Sequence, residues 1–288
     1  MVADHLLYDV EDGVATITLN RPEQFNAVTT EMIADLVRLF DRTDEDDDVR
    51  AVIVTGSGRA FCAGADLAGG EGAFDFAGGE TQGSEEYLHR DSGGMFTLRV
   101  LRSVKPVIAA INGHAVGFGA SMTLPMDFRV VADDAKLGFV FGSRGIVTDG
   151  AASWFLPKIV GLPRALDWCL TGRVFGPNEA LEAGLVRSLH PADQVLEAAR
   201  GIARSIAEGV APMSAVFMRQ LLWQNAGAET PMSAHRVESK ALSVTGRGTD
   251  AREGVRAFIE KRPPQWSQRF TQDAPSWFPW VDEERFEQ

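Results

Sequence analysis

Four short runs of apolar and β-branched residues constrain this chain more than anything else in it. They occupy residues 14–19, 51–55, 106–111 and 128–132. Each has strand length, and Gly56-Ser57-Gly58 punctuates the end of the second. Between the first two, Met32, Ile33, Leu36, Val37 and Phe40 recur at helical spacing. Near-continuous apolar strands must be covered on both faces. Separated by helices, they predict an α/β protein built on a largely parallel, buried sheet.

The second half turns helical. Residues 192–207 and 213–226 carry helical apolar periodicity. Asp250-Ala251-Arg252-Glu253 has the pattern of a capping box, with Asp250 as N-cap. The helix it opens would carry Val255, Phe258 and Ile259 on one side and stop before Pro263-Pro264. The tail beyond holds Trp266, Trp277 and Trp280, aromatics that need cover from the body or from another subunit. Residues 68–94 are rich in glycine and acids. They read as a surface loop with a short helix at best, either a variable connection or a lid over a pocket. No internal sequence repeat is apparent.

A chain of 288 residues, 45% hydrophobic, can bury a sizeable core. Its 28 Lys+Arg against 40 Asp+Glu leave a net charge of −12, which disfavours nucleic acid and anionic membranes as partners. Cys62 and Cys169 are too few for a disulfide framework and lack zinc spacing, so no metal is expected. No signal peptide and no spanning segment is visible, and a cytoplasmic location is expected.

Two glycine-punctuated segments each follow a strand: residues 60–67, with Ala63-Gly64-Ala65-Asp66, and residues 112–120, with Gly117-Phe118-Gly119. Small residues admit a ligand close to the backbone, and a helix starting there offers unpaired N–H groups to an anion. Neither segment has the pattern of a dinucleotide or Walker loop.

Taken with Asn20-Arg21-Pro22, Asn26-Ala27, Leu170-Thr171-Gly172, Ala183-Gly184-Leu185-Val186 and the run from Glu253 to Arg262, these segments resemble the crotonase superfamily, the enoyl-CoA hydratase/isomerase group. The resemblance runs in order over nearly the whole chain up to Pro263. It implies an α/β fold of the crotonase, ClpP-like type: a spiral of ββα units over residues 1–195 with the acyl-CoA site, a helical trimerisation region over 196–262, and a Pro/Trp-rich tail over 263–288. A homotrimer or dimer of trimers would follow. The partner would be an acyl-CoA, with coenzyme A entering as part of the substrate and no separate cofactor.

The resemblance also implies roles. The N–H groups of Ala65 and Phe118 would hold the thioester oxygen as it becomes an enolate, and Asn26, Ala27, Ala63, Gly64, Asp66 and Gly117 would shape the substrate site. Phe258 and Lys261 of a neighbouring subunit would meet the adenine and a phosphate. The two hydratase glutamates would fall at Ser121 and Phe141, neither of which can act as a base. Arg144, close by, could meet an anionic acyl group. Asp149 stands where the dienoyl-CoA isomerases of the superfamily carry an acid/base aspartate. By residue preference it is equally a helix N-cap. His114 and His89 are weaker polar candidates. Double-bond isomerisation by Asp149 is therefore favoured over hydration. A C–C hydrolase or decarboxylase on the same scaffold, or a non-catalytic acyl-CoA binder, are the alternatives.

Overall fold

The computed structural model describes residues 4–74, 90–281 and Phe286. His89 and much of the glycine-rich segment, including Gly78, Gly79 and Glu80, lie outside the described residues. In chain order come β1 (Leu6–Glu11), β2 (Val14–Leu19), α1 (Thr30–Glu45), β3 (Ala51–Gly56), β4 (Ala60–Cys62) and α2 (Ser92–Arg102). Next are β5 (Val107–Ile111), β6 (His114–Val116), α3 (Phe118–Ser121), β7 (Phe128–Ala132), β8 (Leu137–Gly138), α4 (Ala152–Val160) and α5 (Leu162–Thr171). The chain continues through β9 (Val174–Phe175), α6 (Pro177–Glu182), β10 (Ser188–His190), α7 (Val195–Gly209), α8 (Pro212–Asn225), α9 (Pro231–Arg247), α10 (Thr249–Glu260) and α11 (Phe270–Asp273).

Strands of successive pairs go to different sheets. β1, β2, β3, β5, β7 and β10 form one sheet in that order; β4, β6, β8 and β9 form the other. β3–β4, β5–β6 and β7–β8 are thus repeats of one unit, a strand in each sheet followed by helix, wound as a spiral. This repeat escapes the sequence because β4, β6 and β8 are only two or three residues long, too short for a periodicity. All of β5 and five of the six residues of β3 are buried, as their apolar runs require, and α7 packs on β3, β5 and β7. β2–β3, β3–β5, β5–β7 and β7–β10 pair in parallel, while β1 closes the edge antiparallel to β2.

Two sequence expectations are corrected. α2 begins at Ser92, inside the segment read as loop: Asp91 is its N-cap and accepts the Gly94 N–H, and Phe96 and Val100 face the core. The capping box at Asp250 does not form. α10 begins two residues earlier, with Gly248 as N-cap, and Asp250 is buried, accepting the Ser267 N–H at 2.7 Å and the Gln268 N–H at 3.2 Å. Its carboxylate anchors the tail rather than starting the helix. The tail folds back on its own chain. Trp266 donates to the Glu208 carbonyl at 3.0 Å, and Trp277 stacks on Phe217 of α8 with centroids 5.7 Å apart. Among the described residues no helix is long and apolar enough to cross a membrane.

One buried cation ties the helical half to the spiral. Arg219 of α8, its side chain 4% exposed, donates to Asp127 at 2.8 Å. It also donates to the carbonyls of Val100, Leu101 and Ser103 where α2 ends. Gln220 shares the Leu101 and Ser103 carbonyls and the Ser103 N–H shares that of Val100, so one guanidinium joins several acceptors at the end of α2. Arg219→Met should therefore lose about 3–5 kcal/mol of stability, because it takes the paired cation from the Asp127 carboxylate, which keeps only the neutral Val107 N–H and Trp223 Nε1 donors. Urea unfolding should show the midpoint falling by the corresponding amount.

Candidate active site

The loop after β4 is held by backbone bonds to the segment before α1. Ala63 N–H donates to Phe25 O, Val28 N–H to Gly64 O, and Asp66 N–H to Val28 O, at 2.8–3.0 Å. Asn26 makes this possible. It takes a left-handed backbone (φ +57°), is fully buried, and donates to the carbonyls of Ser57 and Ala60 while accepting the Arg21 N–H. Arg21 in turn bonds the Ala27 carbonyl and pairs with Asp66 at 2.7 Å. Asn26 and Ala27 are thus braces behind the loop and lie outside the cavity described below.

The second turn, after β6, lies against the first. A Cβ on Gly64 would stand 2.9 Å from the Val116 carbonyl oxygen and 3.5 Å from the Phe118 nitrogen. A Cβ on Gly119 would stand 2.0 Å from the Cys62 carbonyl oxygen, a contact no side chain survives. Gly117 bends the chain with φ +59° and ψ −127°, which only glycine adopts readily. Ala65 and Phe118 both reach the same cavity, and among the described residues neither N–H has a hydrogen-bond partner. Ala63, Gly64 and Gly117 form the turns themselves and stand behind its wall.

The cavity has a volume of about 770 Å³ and a mainly apolar wall that includes Val28, Ile33, Ile146 and Val147. That is the size of a small-molecule site. Asp149 lines it, half-buried, and accepts the Ser121 hydroxyl at 2.7 Å. Burial pushes the Asp149 carboxyl up to about 6; Asp91 pushes the same way, and the Ser121 bond opposes both. Asp149 is not a helix cap: the N-cap of α4 is Ala151, which has no side-chain cap bond, and only the Asp149 carbonyl is engaged there, by Ala152 N–H at 2.9 Å. Asp66 also faces the cavity but is held low by the Ala68 N–H and by Arg21. Cys62 is buried, which pushes its thiol up to about 12, so it stays protonated.

Other sequence candidates sit elsewhere. Phe141 is 5% exposed and belongs to the hydrophobic core, not to the cavity wall. Arg144 points outward on a single turn and donates to Ser143. His114 is exposed and accepts the Lys136 N–H. Phe258 and Lys261 are exposed at the end of α10, away from this cavity. The residue that sequence reasoning passed over is Asp91, which lines the cavity with Asp149. Its signal was present: Asp-Ser-Gly-Gly directly before a periodic apolar run is a helix start.

A family model described as enoyl-CoA hydratase/isomerase matches residues 9–269. The chain belongs to that family. Among curated relatives, enoyl-CoA hydratase ACTT3 of Alternaria alternata is 40% identical over 256 residues, spanning 88% of this chain and 83% of the relative. The 1,2-epoxyphenylacetyl-CoA isomerase of Escherichia coli is 32% identical, spanning 92% and 98%. The crystal structure of a probable enoyl-CoA hydratase/isomerase from Mycobacterium abscessus superposes with a TM-score of 0.80 at 32% identity, covering 92% of this chain and 99% of that one. The α/β spiral with its helical C-terminal part is therefore the crotonase fold, and the chain is an enzyme of the hydratase/isomerase type acting on acyl-CoA.

The raised carboxyl of Asp149 has a cost in stability whose sign is fixed. Between its ordinary value of 3.8 and about 6 the folded state binds more protons than the unfolded one, so stability falls as pH rises through that window and is level above it. Asp149→Asn removes this term while keeping an acceptor for Ser121. The variant should be more stable than wild type at pH 7.5 by about 2 kcal/mol, allowing for water at the cavity mouth, with the gap closed by pH 4. Thermal unfolding at the two pH values reads this directly.

Proposed function

We propose that this hydratase/isomerase-family enzyme moves a carbon–carbon double bond in an acyl-CoA thioester, with Asp149 as the proton shuttle. The thioester oxygen accepts the N–H groups of Ala65 and Phe118. The Asp149 carboxylate takes a proton from the α-carbon; that C–H pair moves into the Cα–C bond, and the carbonyl electrons move onto oxygen as an enolate. The original Cβ=Cγ π pair then takes the same proton at the γ-carbon, the Cα–C π pair shifts to form Cα=Cβ, and the pair on oxygen returns to the carbonyl. Donors aimed at the developing oxyanion typically lower such a barrier by about 3–4 kcal/mol each. The observation that carries the reading is the Asp149 carboxylate on the cavity wall, with Ser121 and Phe141 where the resemblance expects the hydratase glutamates. Relatives carry both hydratase and isomerase names, so names do not decide between the reactions.

Coenzyme A would be held as part of the substrate, with no separate cofactor. Phe258 and Lys261 of a neighbouring copy would meet its adenine and a phosphate in a trimer or dimer of trimers. The exposed apolar run on α10 supports such a neighbour: Val255, Phe258 and Ile259 are 62%, 86% and 72% exposed. The three-part division at residues 195 and 262, a cytoplasmic location and a place in fatty-acid or related acyl-CoA metabolism belong to the same reading.

Turnover of 3-enoyl-, 2-enoyl- and dienoyl-CoA thioesters separates the possibilities. Wild type should interconvert 3-enoyl and 2-enoyl forms, and Asp149→Asn should lower kcat roughly 100-fold or more with KM within a few-fold. A 3-hydroxyacyl-CoA as the main product, or an undiminished Asp149→Asn, would overturn the proposal.

A further inference from the structure

The cavity holds a carboxylate that the proposed reaction does not use. Asp91 is fixed at the start of α2 by the Gly94 N–H, which donates to its Oδ2. The space beside Gly93 shows what it faces. A Cβ there would stand 3.3 Å from Asp91 Oδ2 and 2.9 Å from Cε2 of the Phe118 ring. The same Cε2 lies 3.7 Å from where a Gly150 Cβ would stand, with Ser121 Oγ, the partner of Asp149, 3.5 Å from that point. Asp91 and the Asp149–Ser121 pair thus gather around the same edge of the Phe118 ring, on one cavity wall.

Among the described residues, no cation on the wall neutralises these two charges. The other groups near Asp149 are the Ser121 hydroxyl from α3 and the Cys62 thiol from β4; Asp66 also lines the cavity and is already paired with Arg21. Among the described residues no Lys, Arg or His lines the cavity.

We propose that Asp91 is a positioning residue whose negative charge, on the same cavity wall as Asp149 and beside the same edge of Phe118, strengthens Asp149 as a proton acceptor. The inference rests on the reading of Asp149 as the shuttle. A like charge across a low-dielectric gap disfavours ionisation, and a carboxylate that holds its proton more tightly is the stronger base. Burial is the larger influence on Asp149, and Asp91 adds to it.

Asp91→Asn and Asp91→Ser test this, because both keep a side-chain oxygen for the Gly94 N–H and so keep the helix start. In wild type, kcat/KM for a 3-enoyl-CoA should fall at acid pH with a midpoint of about 6. In both variants that midpoint should drop by roughly 0.5–1 pH unit, and the plateau kcat should drop roughly 3–10-fold. A purely structural role would lower the plateau and leave the midpoint in place, which would overturn the proposal. A second readout needs no turnover: the carboxyl carbon resonance of Asp149, identified by its loss in Asp149→Asn, should titrate at lower pH in both variants. An unmoved resonance would overturn the proposal, and so would a loss of 100-fold or more on the plateau without any shift, since Asp91 would then carry the proton itself. Full activity of Asp149→Asn would sink the shuttle reading alone, because the resonance reports the coupling independently.

Discussion

The site exists because two stretches of backbone touch. Gly119 lies so close to the Cys62 carbonyl, and Gly64 to that of Val116, that any side chain between them would push the turns apart. Contact at this distance sets the Ala65 and Phe118 amides on one cavity and leaves them unpaired among the described residues. Unpaired N–H groups are costly when buried, so a fold that keeps them must meet water or a ligand there. Much of the neighbourhood serves that contact. Asn26 braces the first turn from behind, and the β6 ladder to β8 holds the second.

Much of the scaffold was legible because its signals are local. β3 and β5 are read from unbroken apolar runs, and α1 from its stripe of Met32, Leu36 and Phe40. What escaped depends on partners far along the chain. β4, β6 and β8 are strands only because each finds a neighbour in the second sheet. Asp250 has the residue type of a cap, yet its carboxylate is taken by backbone seventeen and eighteen residues later. Arg219 looks like an ordinary helix surface residue until α2 ends beside it.

The site was legible in part. The two turns and Asp149 were found on sequence, since glycine spacing and a matching aspartate are local marks. The two readings of Asp149 could be separated only once Ala151 was seen at the start of α4. Asp91 was hidden by its surroundings, because an acid beside a glycine-rich acidic stretch looks like one more solvated charge. Phe141 was expected at the substrate and sits in the core, while Arg144 turns to solvent. Among the described residues the cavity wall carries carboxylates and apolar side chains and no cation, an environment suited to an uncharged ligand group.

The packing around Phe118 carries a consequence for how this pocket can change. Its ring edge fills room that Gly93 leaves empty and reaches ordinary contact distance of the space beside Gly150. Gly93 and Phe118 form one steric unit shared by two distant parts of the sequence. Enlarging Gly93 collides with the ring, and shrinking the ring alone opens a void that nothing fills. Adaptation of the pocket to a new acyl shape must therefore proceed through paired exchanges, so one-at-a-time variation across these sites meets losses in every direction.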